Sequence, residues 1–167
     1  ISGASGTGKE TLARFIHHNS LRSQGRFVEV NVSAMTRENP EEELFGFEKG
    51  EKLRFGSLEL ANGGTLFLKD VADMDLGTQA RLLKALENQE FTRPGGQKNV
   101  QIDVRIITSS RHHLKPLIDE GRFREDLFYH LNVLPPKVPS LKERSEDIEE
   151  LLDYFLKYFA SSESFPL

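Results

Sequence analysis

The sequence predicts an α/β domain of three layers, in which helices cover both faces of a mostly parallel β-sheet. Two observations support this prediction. Short apolar runs typical of buried strands alternate with longer segments whose apolar residues recur at helical spacing. A glycine-rich loop at the start of the chain also leads directly into a predicted helix, as happens where a strand of a parallel sheet passes into a helix.

The individual elements follow from local patterns. Segment 27–32 alternates apolar and polar residues, and segment 65–68 is a short buried strand after the turn Asn62-Gly63-Gly64. Segment 100–108 is predicted to be one further strand. Helices are predicted at 10–19, 77–88, 114–120, 124–131 and 145–159. Because open sheets of this kind bind ligands at the carboxyl ends of their strands, the functional site is expected there.

The composition is typical of one cytoplasmic domain. The chain has 167 residues, a length that suffices for a substantial hydrophobic core. Of these residues 37% are apolar and 29% charged, as in ordinary globular proteins. Its 22 basic and 26 acidic residues leave a net charge of −4, so DNA contact is expected outside this segment. The absence of cysteine excludes disulfides and thiolate metal sites, and no apolar run is long enough for a membrane span.

Segment 2–10 has the pattern of a phosphate-binding loop. Its glycines let successive backbone N–H groups face phosphate oxygens, the following helix adds its positive end, and Lys9 reaches the outer phosphates. In the strict pattern a Ser or Thr that contacts magnesium follows the lysine; here Glu10 follows, and Thr11 comes one place later. A glycine-rich turn without function is the alternative. The candidate nucleotide-binding residues of the loop are Gly3, Ala4, Ser5, Gly6, Thr7, Gly8, Lys9, Glu10 and Thr11.

Five motifs occur in order over nearly the whole chain. They are Gly3-Ala-Ser-Gly-Thr-Gly-Lys-Glu10, Glu43-Leu-Phe-Gly46, Asn62-Gly-Gly-Thr-Leu-Phe-Leu68, Gly121-Arg-Phe-Arg-Glu-Asp-Leu127 and Leu141-Lys-Glu-Arg-Ser-Glu-Asp-Ile148. Together they resemble the AAA+ central domain of bacterial enhancer-binding proteins that activate sigma-54 RNA polymerase. That family also has glutamate after the loop lysine.

The resemblance implies a P-loop NTPase fold that binds ATP or ADP, self-associates into a dimer or ring, and works with RNA polymerase. Such domains usually stand between a regulatory domain and a DNA-binding helix-turn-helix. Residues 1–140 would form the nucleotide-binding subdomain, truncated at its N-terminus, and residues 141–167 the start of a helical lid that is otherwise missing.

One departure from the family concerns the loop that contacts sigma-54. Relatives continue from Glu-Lys-Gly into the hexapeptide Gly-Ala-Phe-Thr-Gly-Ala, whereas segment 48–59 reads Glu48-Lys-Gly-Glu-Lys-Leu-Arg-Phe-Gly-Ser-Leu-Glu59. The segment is shorter by roughly five residues, a change that surface loops tolerate. We therefore expect the fold to be kept and the sigma-54 contact to be lost.

A second departure concerns the strand that holds magnesium in the family. Relatives end this strand in Asp-Glu, where Asp binds magnesium and Glu polarises the attacking water; here Lys69 and Asp70 stand in those places. Because alternate residues of a strand face opposite sides, Asp70 takes the place of the glutamate and is one methylene shorter. We therefore expect that ATP hydrolysis is impaired and that magnesium binding is disfavoured. No residue is predicted to be a metal ligand.

Lys69 has two interpretations. Its ammonium could offer positive charge to the phosphates, as Lys9 does, so that ATP or ADP binds without magnesium. Alternatively, Lys69 pairs with Asp70 or points to solvent. Lys69 is therefore added to the candidate nucleotide-binding residues.

Other site positions also match the family in part. Asn31 matches an asparagine that senses the γ-phosphate, although it could be an ordinary polar residue at a strand end. Arg124 matches an arginine finger that reaches the neighbouring subunit's nucleotide, with a surface salt bridge as the alternative. His130 lies where the family has a second such arginine. The contribution of that second arginine to the neighbouring nucleotide is therefore expected to be weakened. Segment 109–112, Ser-Ser-Arg-His, replaces the family's Ala-Thr-Asn-Arg. The predicted catalytic residues are Asp70, Asn31 and Arg124.

The sequence therefore predicts the nucleotide-binding AAA+ module of a bacterial DNA-binding transcription regulator, with impaired ATP hydrolysis and without remodelling of sigma-54 polymerase. Relatives without the hexapeptide include response regulators of the nitrogen-sensing type and regulators that bind cyclic di-GMP. A cyclic di-GMP sensor, with Arg14 as a candidate contact, is therefore one alternative. A slower but active ATPase is the other.

Overall fold

Helices and strands alternate along the chain. The structure is a computed structural model that describes residues 1–35 and 39–163. Short 3-10 turns occur at Val32–Ala34, Val71–Asp73 and Leu141–Arg144. The strands are β1 (Phe27–Asn31), β2 (Phe47–Lys49), β3 (Lys52–Arg54), β4 (Thr65–Lys69), β5 (Glu90–Thr92), β6 (Asn99–Gln101) and β7 (Arg105–Thr108). The helices are α1 (Lys9–His18), α2 (Pro40–Phe45), α3 (Ser57–Leu60), α4 (Leu76–Asn88), α5 (Leu114–Asp119), α6 (Glu125–Leu131) and α7 (Asp147–Glu163).

A parallel sheet lies at the centre of the fold, with the strand order β1-β4-β7. Phe27 of β1 pairs with Thr65 of β4, and Thr65 pairs in turn with Arg105 of β7. Ser2 extends the sheet beyond β7 through isolated parallel bridges to Ser110 and Lys137. The carboxyl ends of all three strands therefore point towards the segment that leads into α1.

Strand β4 is buried on both faces of the sheet, and its side chains alternate between two cores. Leu66 and Leu68 pack in the larger core, which also contains Leu82 of α4 and Leu127 of α6. Phe67 packs on the opposite face in the smaller core, which includes Ala13 of α1. An apolar strand covered by helices on both faces is typical of parallel sheets. The predicted three-layer α/β architecture is thus confirmed.

The prediction of a single strand over 100–108 is wrong. Strand β6 pairs antiparallel with β5 in a hairpin outside the central sheet, while β7 pairs with β4. Between them Asp103 is held by distant groups: its N–H donates to Asn62 Oδ1 over 2.7 Å, and its carbonyl accepts from Gly63 N over 2.9 Å. The apolar alternation continues through this break, so periodicity alone does not show it.

The segment that was compared with the hexapeptide loop of the family contains a hairpin of β2 and β3. Arg93, whose side chain is only 10% exposed, lies 3.0 Å from Glu48 Oε2 of this hairpin and also pairs with Glu59 of α3. The backbone N–H of Glu48 donates to Pro94 O over 2.9 Å. The short hairpin is therefore fastened to the β5–β6 hairpin by an ion-pair network and a backbone hydrogen bond.

The predicted lid segment, 141–167, begins with a capped turn. The Ser140 N–H and hydroxyl both donate to Glu143 Oε2 over 2.7 Å, which forms a capping box. Helix α7 follows, and residues 164–167 lie outside the described residues. The division at residue 140 stays a prediction. In the described part of the chain, no helix combines the length and the apolar character that crossing a membrane requires.

The buried His17 of α1 is expected to make the free energy of unfolding depend on pH. Its ring is buried, and Nδ1 lies 2.9 Å from Thr65 Oγ1 at the start of β4. Desolvation, helped by the neighbouring His18, lowers the pKa of His17 below its ordinary value of 6.5. The unfolded chain then binds a proton more readily than the folded one, so the free energy of unfolding should fall as pH decreases below 6.5. The slope for one group is at most about 1.4 kcal/mol per pH unit.

This expectation can be checked by urea unfolding of the wild type and the His17→Asn variant at several pH values between about 5 and 8, the range in which histidine titrates. The wild type should lose more stability than the variant as pH decreases through this range. Identical pH dependence in the two proteins would exclude His17 as the source.

Candidate nucleotide-binding site

The segment between Ser2 and α1 has the backbone of an open anion cradle. Gly6 and Gly8 have φ values of +76° and +89°, in the left-handed region that glycine adopts at little cost. A side-chain carbon added at either position would meet no atom within 4 Å, so the space above the loop is open. Gly8 is also the N-cap of α1 and supplies no side-chain oxygen, which leaves the first helical N–H groups available to an anion.

The Lys9 ammonium is held over this loop. Its Nζ donates to the carbonyl oxygens of Gly3 and Ala4 over 2.8 Å and 2.6 Å, and the Thr7 hydroxyl donates to the same Ala4 oxygen over 2.9 Å. Burial lowers the pKa of Lys9, and among the nearby charges Asp70 opposes this shift while Arg111 adds to it. A phosphate oxygen could take the place of the two carbonyls as acceptor.

Lys69 lies between two carboxylates. Its Nζ is 2.9 Å from Glu29 Oε1 and 3.0 Å from Glu10 Oε2. Hydrogen bonds to Glu29 and then Glu10 raise the pKa of Lys69, and the bond from Lys69 lowers the pKa of Glu10. The expected alternative in which Lys69 pairs with Asp70 is wrong. Consecutive residues at a strand end face different sides, and here Lys69 turns towards α1 and β1.

Asp70 is held by Arg111 instead. The Nε atom of Arg111 lies 3.2 Å from Asp70 Oδ1, and its second terminal nitrogen lies 3.4 Å from Asp73 Oδ2. Asp70 has φ +54° and ψ +49°, a left-handed conformation that is uncommon outside glycine and that starts the 3-10 turn Val71–Asp73. Its carboxylate is therefore placed by a strained backbone and by a guanidinium.

Asn31 lies at the same sheet edge. It ends β1 opposite Lys69 in the register, and its Oδ1 accepts a hydrogen bond from the Ser33 hydroxyl over 2.7 Å. The structure thus brings together the loop, Asn31, Lys69 and Asp70, as the sequence predicted. Glu10 is beside them, whereas Ser5 and Thr11 are exposed on the loop and on α1.

Arg124 and Arg14 make their contacts elsewhere. The exposed guanidinium of Arg124 binds both carboxylate oxygens of Asp126, at 3.0 Å and 2.6 Å. Within this chain Arg124 thus forms the surface salt bridge considered as its alternative role. Arg14 lies 3.0 Å from Glu10 Oε1 and 2.8 Å from Glu29 Oε2, so it belongs to the Lys69 cluster.

Sequence reasoning missed several partners in the site. Glu29 and Arg111 were not assigned roles, although Glu29 is a charged residue in an otherwise apolar strand and Arg111 follows a strand end. Arg144 was also missed; its terminal nitrogen donates to the Thr7 carbonyl over 2.9 Å and so ties the start of the predicted lid to the loop.

The residues present fit a phosphate group but not a magnesium site of the family's type. Lys69, which the resemblance places at the metal-binding carboxylate, puts an ammonium at this position, and it already pairs with the nearby carboxylates of Glu10 and Glu29. Among residues 1–35 and 39–163, no group of three or more metal-ligating side chains is suited to a metal ion.

Comparison with known proteins indicates the same family as the sequence motifs. Residues 1–136 match the family model of the sigma-54 interaction domain. The chain is 52% identical over 158 residues to the nitrogen assimilation regulatory protein NtrX of Azorhizobium caulinodans, covering 93% of this chain and 35% of the relative. It is 48% identical over 166 residues to the regulatory protein AtoC of Escherichia coli K12, covering 96% of this chain and 36% of the relative.

Solved structures of NtrX from Brucella abortus also superpose closely. The complex with ADP has a TM-score of 0.92 at 48% identity, and the complex with ATP has a TM-score of 0.91 at the same identity. Each match covers 98% of this chain, and 37% and 38% of the solved chains respectively. The chain thus spans about a third of the length of these relatives.

These matches confirm both the P-loop NTPase class and the family that the motifs indicated. The family model covers most of the chain, and the fold agrees with relatives whose sequences are about half identical. The chain therefore belongs to the family of sigma-54 interaction domains, the AAA+ domains of bacterial transcription regulators.

Proposed function

We propose that this domain binds ATP or ADP without magnesium and serves as a nucleotide-responsive assembly module in a cytoplasmic, DNA-binding transcription regulator. The contacts of Lys69 are the observation that carries this proposal. That two solved structures of the similar NtrX are complexes with ATP and with ADP supports the choice of ligand.

The Lys69 ammonium stands in for the metal cation. An ammonium has three N–H donors, and the contacts with Glu10 and Glu29 use two of them. The third can donate to a phosphate oxygen. Because the pKa of Lys69 is raised, the group is fully charged at neutral pH, and it repels a divalent cation at the same place.

Hydrolysis is impaired in this proposal because Asp70 is a poor substitute for the family's glutamate. Its side chain is one methylene shorter, and misplacement by about 1 Å can slow a reaction that depends on positioning by on the order of 100-fold. One of its carboxylate oxygens is already in an ion pair with Arg111, and this guanidinium competes with a water molecule for that oxygen.

The domain works with RNA polymerase by a route other than sigma-54 remodelling. The hexapeptide loop of the family is replaced by the short hairpin of β2 and β3, which Arg93 and the Glu48 backbone fasten to the neighbouring hairpin. A fastened hairpin cannot extend towards a partner as a long loop can. Self-association into a dimer or ring, and DNA binding through another part of the protein, complete the proposal.

The test is calorimetric titration of the full-length protein with ATP, once in magnesium and once in EDTA. The two dissociation constants should agree within about threefold, which is less than 1 kcal/mol of binding free energy. Binding that disappears in EDTA would contradict the proposal, and steady release of phosphate in magnesium would then favour the slow ATPase.

The second part of this experiment is a titration of the full-length protein with cyclic di-GMP. Because the proposal assigns the loop and Lys69 to the phosphates of ATP, we expect cyclic di-GMP neither to bind tightly nor to displace ATP. If cyclic di-GMP binds and ATP does not, the cyclic di-GMP sensor is the better assignment.

A further inference from the structure

Gln79 is a fully buried polar residue in the apolar face of α4. Its side chain has 0% exposure, and it lies beside Leu82 and Leu83, which belong to the main core. Burial of an amide without hydrogen-bond partners is unfavourable in free energy. The partners of the Gln79 amide therefore show which groups this residue holds in place.

Three hydrogen bonds use the amide of Gln79. Its Nε2 donates to Met74 O over 2.7 Å and to Arg122 O over 3.1 Å, and its Oε1 accepts from the backbone N–H of Arg124 over 2.8 Å. Two carbonyls require a donor and one N–H requires an acceptor, so the partners determine which way the amide points.

These bonds join two segments that the sequence separates. Met74 ends the turn that Asp70 begins, and its own N–H donates to Val71 O. Arg122 and Arg124 flank Phe123, which is buried in the core, at the start of α6. Gln79 therefore lies between the turn of the candidate catalytic carboxylate and the backbone of the candidate arginine finger.

The two ends of Arg124 are held by different groups. Gln79 holds its backbone N–H, while Asp126 binds its guanidinium and also accepts from Leu127 N over 2.7 Å. Asp126 is an exposed partner, so a phosphate on another copy could replace it. The backbone anchor through Gln79 is buried and does not involve the guanidinium.

We infer that Gln79 is a positioning residue that couples the Asp70 turn to Arg124. The inference rests on the self-association in the proposed function and on the arginine-finger role that the family resemblance implies for Arg124, in which its guanidinium reaches the nucleotide bound by a neighbouring copy. A shift of the Asp70 turn on nucleotide binding then moves Met74, the Gln79 amide and the Arg124 backbone together. Nucleotide binding to the loop of one copy thereby changes the position of its Arg124, which contacts the neighbouring copy.

The test measures ATP-dependent self-association of the full-length protein by sedimentation. Gln79→Met keeps the length of the side chain and removes all three hydrogen bonds; Arg124→Ala removes the guanidinium. Each single variant should weaken ATP-dependent association by at least about tenfold, the effect of losing a charge-assisted hydrogen bond. The double variant should be no weaker than Arg124→Ala, because both changes remove one interaction.

Leu83→Ala on the same helix is the matched control. It removes core packing and takes part in none of the hydrogen bonds of Gln79 or Arg124, so it should lower the melting temperature and leave ATP-dependent association unchanged. If Gln79→Met does not fold, the Gln79→Glu variant replaces it in the same scheme. That variant should associate better at pH 6 than at pH 8, because a buried carboxyl is protonated more readily and then donates to a carbonyl again.

The outcomes separate the inference from the function on which it rests. If Arg124→Ala leaves ATP-dependent association unchanged, the arginine-finger role fails and the inference fails with it. If Arg124→Ala weakens association but Gln79→Met behaves like Leu83→Ala, or adds its effect to that of Arg124→Ala, only the inference is overturned.

Discussion

Replacing Lys69 with aspartate is expected to make nucleotide binding depend on magnesium. The substitution removes the ammonium that lies 2.9 Å from Glu29 and 3.0 Å from Glu10, and it adds a carboxylate beside them. Three carboxylates and a triphosphate repel one another unless a divalent cation lies between them. We expect the affinity for ATP in EDTA to fall by at least about 100-fold, equivalent to about 2.7 kcal/mol, and to recover in magnesium.

Calorimetry of wild type and variant, each with magnesium and with EDTA, measures this change. Lys84→Asp is the matched control, because it makes the same change of charge on the exposed side of α4. The control should bind ATP like the wild type in both buffers. Equal binding of ATP in EDTA by the Lys69→Asp variant and the wild type would show that Lys69 does not provide the counter-charge.

Replacing Arg93 with methionine is expected to lower the free energy of unfolding by about 3 kcal/mol. Arg93 is 10% exposed, and its partners Glu48 and Glu59 are 27% and 20% exposed. Removal of the guanidinium leaves two largely buried carboxylates without their cation, which costs more than loss of an exposed ion pair. The hairpin of β2 and β3 should also become more accessible to protease, because the variant loses its ion-pair anchor.

Urea unfolding of the wild type, Arg93→Met and Arg122→Met measures the difference. Arg122 pairs with Glu120 at the surface, where the two side chains are 69% and 55% exposed. Its replacement should cost less than about 1 kcal/mol. Equal losses in the two variants would mean that the Arg93 network does not fasten the hairpin.

Local patterns were sufficient to predict most of the central fold. Helix α1 and helix α4 begin one residue before the predicted segments, and β1 and β4 fall at the predicted places, because buried strands and amphipathic helices carry strong periodic signals. The four-residue helix α3 and the strand β5 were not predicted, since such short elements depend on their neighbours more than on their own residues. The break between β6 and β7 was not predicted because the apolar alternation continues through it.

The sequence analysis named candidate site residues but not the contacts between them. The loop, Asn31, Lys69 and Asp70 follow from motifs, and the sheet places them at one edge. The partners of Lys69 were not predictable, because Glu10 is 59 positions away in the sequence and Glu29 lies on a neighbouring strand. Which of several nearby carboxylates an ammonium binds is decided by side-chain geometry, on which sequence periodicity carries no information.

The sequence by itself determined the glycine-rich loop, the alternation of strands and helices and the resemblance to the family, because periodicity and short motifs are local properties of the chain. Only the tertiary structure decided that Lys69 bridges Glu10 and Glu29, that Arg111 holds Asp70, and that Gln79 joins the Asp70 turn to Arg124. These contacts form between segments that meet only after the sheet and its covering helices have packed, so their partners are set by the geometry of the assembled layers.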